Sequence, residues 1–174
     1  GVADGMIRQA KCGDIPALTE LMLDMYRRSQ YVEYDEPDIK ETKSILLQAI
    51  TRHGLKAAGG TCVFVIEEDG TLTGFIIGVL ERFYHIGKKL SATDLFYYAI
   101  DGADPREAIR LFDAYLEWAR KIPNVIRIRN GATDAIGDYG KVEKLYQRRG
   151  LTREGVIYGM WVERPKEESD VGRG

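Results

Sequence analysis

The sequence predicts an α+β fold: one domain with a mixed, mostly antiparallel sheet and helices on both of its faces. Strand-like and helix-like segments follow one another as strand, two helices, three strands, helix, strand, helix, strand. Asp69-Gly70 between two apolar runs is a tight-hairpin signature, so part of the sheet is antiparallel. The chain has 174 residues and no internal repeat, which suits a single domain with a sizeable core.

Each element has its own signal. Gly1 to Gly5 read as an N-terminal extension or expression remnant, and the domain is placed at residues 6–163. Ile7 to Ala10 is a short strand. Asp14 is suited to cap the next helix, and Pro16 is tolerated in its first turn. Ile15, Leu18, Leu21, Met22 and Met25 then share one face up to about Arg28. Tyr31 to Pro37 is acidic, aromatic and without a period, hence a loop. Asp38 with Glu41 is a capping-box pattern; Ile39, Leu46, Ala49 and Ile50 form the apolar face, and Gly54 stops it. Cys62 to Ile66 is a buried strand, and Leu72 to Arg82 is its hairpin partner. After an excursion from Phe83 to Ala92, Leu95 to Ile100 reads as a central strand. Asp104-Pro105-Arg106-Glu107 is the clearest helix start in the chain, with cap, proline and acid in place. Ala108, Ile109, Phe112, Tyr115, Leu116 and Ala119 then face inward. Val125 to Arg129 alternates as a strand, and Lys141 to Arg149 is a helix closed by Gly150. Val156 to Val162 is expected to be the last strand. Residues 164–174 are polar and expected to be a disordered tail.

Composition excludes several classes. Hydrophobic residues make up 44% and charged residues 30%, with a net charge of −2. That balance rules out wholesale disorder and argues against a strongly basic nucleic-acid binder. No apolar run approaches the roughly 20 residues of a membrane span, and the N-terminal residues show no signal-peptide pattern. Cys12, Cys62 and two histidines give neither a disulfide framework nor metal-ligand spacing. Reduced thiols in a cytoplasmic protein without a metal are the expectation.

Three stretches carry a family likeness. Val63-Phe64-Val65-Ile66-Glu67-Glu68-Asp69-Gly70-Thr71-Leu72-Thr73-Gly74-Phe75-Ile76 has a "D-G … G-F" rhythm. The strand ending at Ile100 runs through a short loop into the helix from Pro105. Leu145-Tyr146 is followed by three residues, then Gly150-Leu151. In this element order they resemble the GNAT superfamily of acyl-CoA-dependent N-acyltransferases, over about Met6 to Glu163. The resemblance implies acetyl-CoA as co-substrate, with its pyrophosphate at the start of the helix from Pro105, where N–H groups and the helix dipole favour anions. It also implies that backbone around Tyr97, Tyr98 and Ala99 holds the pantetheine arm and acyl carbonyl. That backbone would be exposed by a splay between the strands at Leu95–Ile100 and Val125–Arg129.

At the phosphate loop the family reads basic residue or Gln, two residues, Gly, one residue, then Gly or Ala. Here the chain reads Asp101-Gly102-Ala103-Asp104-Pro105-Arg106-Glu107-Ala108. Asp104 and Glu107 put negative charge where phosphates sit, and Pro105 removes an N–H. Gly102, Ala103, Arg106 and Arg110 are the candidate contacts.

Acylating an amine with a thioester needs a neutral amine, a donor for the oxyanion and a proton for the leaving thiolate. Tyr146 falls on the tyrosine that protonates the thiolate in many family members, and a tyrosine near pKa 10 holds its proton at neutral pH. The plainer reading is a packed, inert tyrosine beside Leu145. Tyr139 replaces the Asn or Asp often found seven residues earlier in the family. For the base, Asp94 opens the strand that meets the cofactor, Glu81 is its rival, and His85 has a suitable ordinary pKa. A solvated strand-end carboxylate is the plainer reading of Asp94 and Glu81. Tyr31, Glu33 and Tyr34, with Asp35 and Glu36, suit a cationic amine, or form a solvated loop. Lys141, Lys144, Arg148 and Arg149 lie near the implied phosphates or make an exposed basic face.

An acyl-CoA-dependent N-acyltransferase acting on a small-molecule or protein amine is the first expectation. Nucleic-acid and membrane partners are not expected, and a homodimer is left open. A GNAT-like binding or assembly module without efficient catalysis comes second, favoured by the acidic phosphate loop. An unrelated α+β interaction domain, without a splay between central strands, comes third.

Overall fold

Side-chain alternation along the strands sets the layers. The computed structural model describes residues 5–165. Its strands are β1 (Met6–Gln9), β2 (Thr61–Glu68), β3 (Thr71–Arg82), β4 (Leu90–Ala99) and β5 (Val125–Arg129). They form one sheet in the order β1-β2-β3-β4-β5. Every junction is antiparallel except β4–β5, which is parallel. The helices are α1 (Ile15–Arg28), α2 (Ile39–Thr51), α3 (Pro105–Arg120) and α4 (Gly140–Arg148). Val63, Val65, Phe75, Ile77, Phe96 and Tyr98 pack with Leu18, Leu21 and Met22 of α1 and Leu46 and Ala49 of α2. Their neighbours Cys62, Ile66, Ile76 and Tyr97 pack on the other face, with Leu111, Phe112, Tyr115 and Leu116 of α3 and Tyr146 of α4. Period-two alternation thus places α1 and α2 on one face and α3 and α4 on the other. This is the α+β architecture expected from the sequence.

Local chemistry fixes the junctions. Asp69 (φ 50°) and Gly70 (φ 79°) both take the left-handed region that a tight hairpin between twisted strands requires. Asp38 Oδ1 accepts the Glu41 N–H at 2.9 Å and starts α2. Pro105 is the first residue of α3, with Asp104 as cap. The α3 helix is the crossover that lets β4 and β5 run parallel.

The structure departs from the sequence reading in several places. Val156 to Val162 is not a strand: residues 151–165 carry no helix, strand, turn or bend. Among the described residues, no backbone hydrogen bond ties residues 152–165 to the sheet. The segment has a strand's composition, but composition alone makes no ladder: it forms no backbone pairing with β5, the edge strand that Glu154 meets through Arg127. β4 begins at Leu90 rather than Leu95, because Phe83 N–H donates to Lys89 O at 2.9 Å and closes the excursion early. Asp14 does not cap α1 with its side chain. Its carboxylate instead takes Arg8 at 2.8 and 2.9 Å and the Lys11 N–H at 2.8 Å. The expected extension and tail fall mostly on residues 1–4 and 166–174, outside the described residues. Among the described residues, no helix is long and apolar enough to cross a membrane.

Candidate active site

β4 and β5 lie side by side only briefly. Leu90, Ser91, Ala92 and Thr93 pair with Val125, Arg127, Ile128 and Arg129. Beyond Thr93, β4 runs on to Ala99 with no strand among the described residues on that side. The cause lies in β4 itself. Against β3, Asp94 pairs with Gly78 and Phe96 with Ile77, which leaves Leu95 as an extra residue. A bulge of this kind bends a strand and increases its twist. It also shifts side-chain parity: Ala92 packs toward α3 before it, and Tyr97 and Ala99 do so after it. The result is a wedge between two strands of one sheet, walled by the outer backbone groups of residues 95–99. Unpaired strand edges of this type hold extended ligands through main-chain hydrogen bonds.

A polar network sits at the base of the wedge. The Gly131 N–H donates to Asp94 Oδ1 at 3.4 Å, and the Tyr146 hydroxyl donates to the Gly131 carbonyl at 3.0 Å. The Tyr115 hydroxyl donates to Asn130 Oδ1 at 3.4 Å. Burial pushes the Asp94 carboxyl above the ordinary carboxylate range, and hydrogen bonding from Asn130 and Gly131 opposes part of that rise. Burial first, then the Asp94 charge, pushes the Tyr146 phenol upward, so it keeps its proton throughout the neutral range. Phe112 packs against the Tyr146 ring at 5.1 Å and against Tyr97 at 5.8 Å, which makes the α3 wall apolar. The Tyr97 hydroxyl donates to the Ala108 carbonyl and fixes that ring to α3.

The start of α3 supplies its own anion. Gly102 (φ 82°) turns the chain out of β4, and the Ala103 N–H donates to the Ile100 carbonyl at 3.2 Å. Asp104 Oδ1 accepts the Arg106 N–H at 2.9 Å, the position an external anion takes at a helix N-terminus. Its other oxygen pairs with the Arg106 guanidinium at 3.0 Å. The Arg106 hydrogen bonds hold Asp104 below the ordinary carboxylate range. Arg110 is paired with the buried Glu107 at 2.9 and 3.2 Å and reaches the Gly5 carbonyl at 3.5 Å. The Arg106 side chain is 82% exposed, so it can exchange partners with little desolvation.

A third region gathers near the loop after β5. Tyr31, Glu33 and Tyr34 lie on or beside a short 3-10 turn, Gln30–Glu33, between α1 and α2, and all are exposed. Trp161 stacks on Tyr34 at 3.7 Å with planes 6° apart, and meets Tyr31 edge-on at 6.1 Å. The Gln30 amide donates to the Asp134 carbonyl and carboxylate, both at 3.2 Å. The acidic aromatic loop is thereby joined to the stretch that leaves Asn130-Gly131. A separate cavity of about 840 Å³ lies beside α1, lined among others by Arg8, Asp14, Asp24, Arg28 and Asp101, and by no residue of the Asp94–Tyr146 network.

Solved structures share this fold. AAC(6')-Iy, in complex with the bisubstrate analog CoA-S-monomethyl-acetylneamine, superposes with a TM-score of 0.68 over 94% of this chain and 100% of that chain, at 15% identity. The ribosomal-protein-alanine N-acetyltransferase of Brucella melitensis biovar Abortus 2308 gives 0.65 over 92% and 100%, at 16% identity. Glucosamine-6-phosphate N-acetyltransferase from Arabidopsis thaliana gives 0.66 over 92% and 100%, at 8% identity. The chain has the GNAT fold. No family model and no curated protein sequence matches it.

Within the GNAT frame, the candidate residues separate. Asp94 and Tyr146 come together at the wedge, and the backbone of Tyr97 to Ala99 forms its wall. Glu81 does not join them: it pairs with Ser91, three register positions from Asp94, and is exposed. His85 lies in an exposed turn with φ 64°, after the far end of β3. The Tyr98 side chain is turned to the α1 face, where its hydroxyl donates to Asp24 and accepts from Arg28 at 2.7 Å. Only its backbone is left for the wedge. Arg149 is paired with Asp113 of α3 at 2.6 and 3.0 Å. Asn130, Gly131, Tyr115 and Trp161 are the residues that sequence reasoning missed. Asn-Gly after an alternating strand signals only a turn, and Trp161 sits in a segment that reads as a strand.

Proposed function

We propose that this chain is an acyl-CoA-dependent N-acyltransferase, transferring an acetyl group from coenzyme A thioester to an amine. The observation that carries the reading is the Asp94–Gly131–Tyr146 network at the base of the β4–β5 wedge. The wedge fits an extended ligand because residues 95–99 offer a strand edge without a strand partner, ending beside the N-terminus of α3. When bound, the co-substrate supplies an acyl carbon already activated toward an amine.

The chain's own groups then do the rest. Backbone N–H groups of residues 95–99 hold the arm and polarise the acyl carbonyl. Asp94, raised by burial, takes the amine proton onto a carboxylate oxygen, directly or through one water, in preference to the distant Glu81. The Tyr146 hydroxyl turns from the Gly131 carbonyl and gives its proton to the departing sulfur; Asp94 releases its proton to solvent and Tyr146 is reprotonated from there. Gly102, Ala103 and Arg106 receive the pyrophosphate, with Arg106 released from Asp104; Arg110 stays on Glu107. Tyr31, Glu33 and Tyr34 favour a cationic acceptor through charge and aromatic faces, and Trp161 extends that aromatic wall.

Release of free thiol from acetyl-CoA, followed across a panel of cationic small-molecule and peptide amines, tests the reading. Amine-dependent release that is lost in Tyr146→Phe supports it. The second reading, a GNAT-fold binding or assembly module, is favoured by Asp104 already occupying the α3 anion position. It expects no amine-dependent release with any acceptor.

A further inference from the structure

Thr93 and Arg129 are the last register pair of β4 and β5. Asp94 and Asn130 are therefore the first residues past that pair, one on each strand. Two residues earlier, Ala92 and Ile128 also pair, and both pack toward α3. Side-chain alternation turns Asp94 and Asn130 the same way. Tyr115 of α3 meets them there, fully buried, and its hydroxyl donates to Asn130 Oδ1 at 3.4 Å. The Asn130 amide nitrogen is buried and completes no hydrogen bond. Native structures keep few buried donors unpaired, because the lost hydration is not returned. Rotating the amide would not relieve it: Oδ1 would then face the Asp94 carboxylate, acceptor against acceptor. Asp94 in turn has few means of carrying its charge. It makes no ion pair among the described residues. The titratable side chains that sense it are the phenols of Tyr97 on β4, Tyr115 on α3 and Tyr146 on α4, all raised by burial and neutral around pH 7. Against the burial that raises the Asp94 carboxyl, the largest opposing influence is the Asn130 side chain, ahead of the Gly131 N–H.

We propose that Asn130 is a positioning residue for Asp94: its amide, held in one orientation by Tyr115, donates to the carboxylate beside Gly131 and steadies it at the base of the wedge. The inference rests on the reading of Asp94 as the base, and adds to it two residues that act through Asp94. Consecutive residues supply both donors, the side chain of Asn130 and the backbone of Gly131, so the end of β5 grips one carboxylate twice. Both donors are neutral. A lysine or arginine in their place would also hold the carboxylate ionised, but its charge would repel a cationic amine in a site of low dielectric. Tyr115 acts one step further back: it fixes which end of the Asn130 amide faces Asp94.

The test is the pH titration of the Asp94 carboxyl carbon by NMR, on the full chain labelled at aspartate, with Asp94→Asn to assign the signal. It needs neither acetyl-CoA nor an acceptor, so its outcome is independent of the thiol-release assay that tests the acyltransferase reading. Asn130→Ala is expected to raise the Asp94 midpoint by about 1–2 pH units, the range for a hydrogen bond to a charged group. Tyr115→Phe keeps its ring packed against Phe112 and Trp118. It is expected to raise the midpoint by less, and to add nothing in the Asn130→Ala background. The acid limb of kcat/KM is expected to move with the carboxyl midpoint in each variant. An unchanged or lowered midpoint in Asn130→Ala overturns the proposal. So does a Tyr115→Phe shift that persists in the Asn130→Ala background, which would make Tyr115 act on Asp94 directly. If Asn130→Ala does not fold, Tyr115→Phe decides alone: a raised midpoint supports the relay, and an unchanged one overturns it.

Discussion

Tyr146 and Asp94 are joined through a single residue: Gly131 accepts the Tyr146 hydroxyl at 3.0 Å on its carbonyl and gives its N–H to Asp94 at 3.4 Å. Two groups from distant parts of the chain therefore share one glycine at the point where β4 leaves β5. If Tyr146 delivers the proton to the thiolate, Tyr146→Phe lowers turnover by roughly 10- to 1000-fold with little change in coenzyme A affinity. The ring packing against Phe112 remains, so the stability loss stays near the value of one neutral hydrogen bond, about 1 kcal/mol. Steady-state kinetics and denaturant melts on the same preparation check both parts.

Asp94 carries a pH signature with a definite sign. Its folded-state pKa is raised by burial above its ordinary value, so the native state binds more protons than the unfolded chain between those two pKa values. Stability therefore falls as pH rises through that window, and at neutral pH the buried charge is a net cost. Asp94→Asn keeps an acceptor for Gly131 and removes the charge. It is expected to raise the melting temperature at neutral pH, and to lose that gain well below about pH 4, where the carboxyl is protonated in both states. The same variant is expected to abolish the acid limb of kcat/KM. A lower melting temperature at neutral pH contradicts the assignment of Asp94 as a destabilised, functionally placed carboxylate.

Arg106 is expected to change partner when ligand arrives. Arg106→Ala weakens coenzyme A binding by about 10- to 150-fold, the range for a hydrogen bond to a charged group, while Arg110→Ala acts mainly by leaving the buried Glu107 without its partner. Equal coenzyme A affinity for wild type and Arg106→Ala, measured by titration at one fixed salt concentration, removes Arg106 from the phosphate site.

The position of the bulge depends on Gly78, the partner of Asp94. A Cβ there would lie 2.8 Å from Cys62 Sγ, 2.8 Å from Tyr115 and 2.9 Å from Trp118. Gly78→Ala is expected to cost about 1–3 kcal/mol through overpacking, read in urea denaturation. It is also expected to lower activity more than stability alone explains, because Tyr115 bonds Asn130 beside Asp94.

Much of the fold was legible in the sequence because its signals are local. Asp69-Gly70, the Asp104-Pro105 helix start and the apolar stripe of α3 each encode their own geometry. The Leu-Tyr…Gly pattern showed where the last helix ends, and Tyr146 lies buried on it against Phe112. The base of the wedge was harder, because the bulge at Leu95 arises from register against β3, which no single strand reveals. Which of Asp94 and Glu81 lies beside Gly131 was therefore not legible in the sequence; the bulge places Asp94 there. The final apolar run misled for a related reason: Val156 to Val162 has a strand's composition, but a strand is made by backbone pairing, and among the described residues this run makes none with the edge strand β5.

The central claim is that the β4–β5 wedge takes a coenzyme A thioester despite Asp104 at the start of α3. Calorimetric titration of the full chain with acetyl-CoA at modest salt tests it most directly. Saturable binding of one molecule per chain with a micromolar dissociation constant is the expected result, and it would show that Arg106 yields to the pyrophosphate. No heat and no thermal stabilisation at millimolar acetyl-CoA would contradict the claim and leave the GNAT fold here as a binding scaffold.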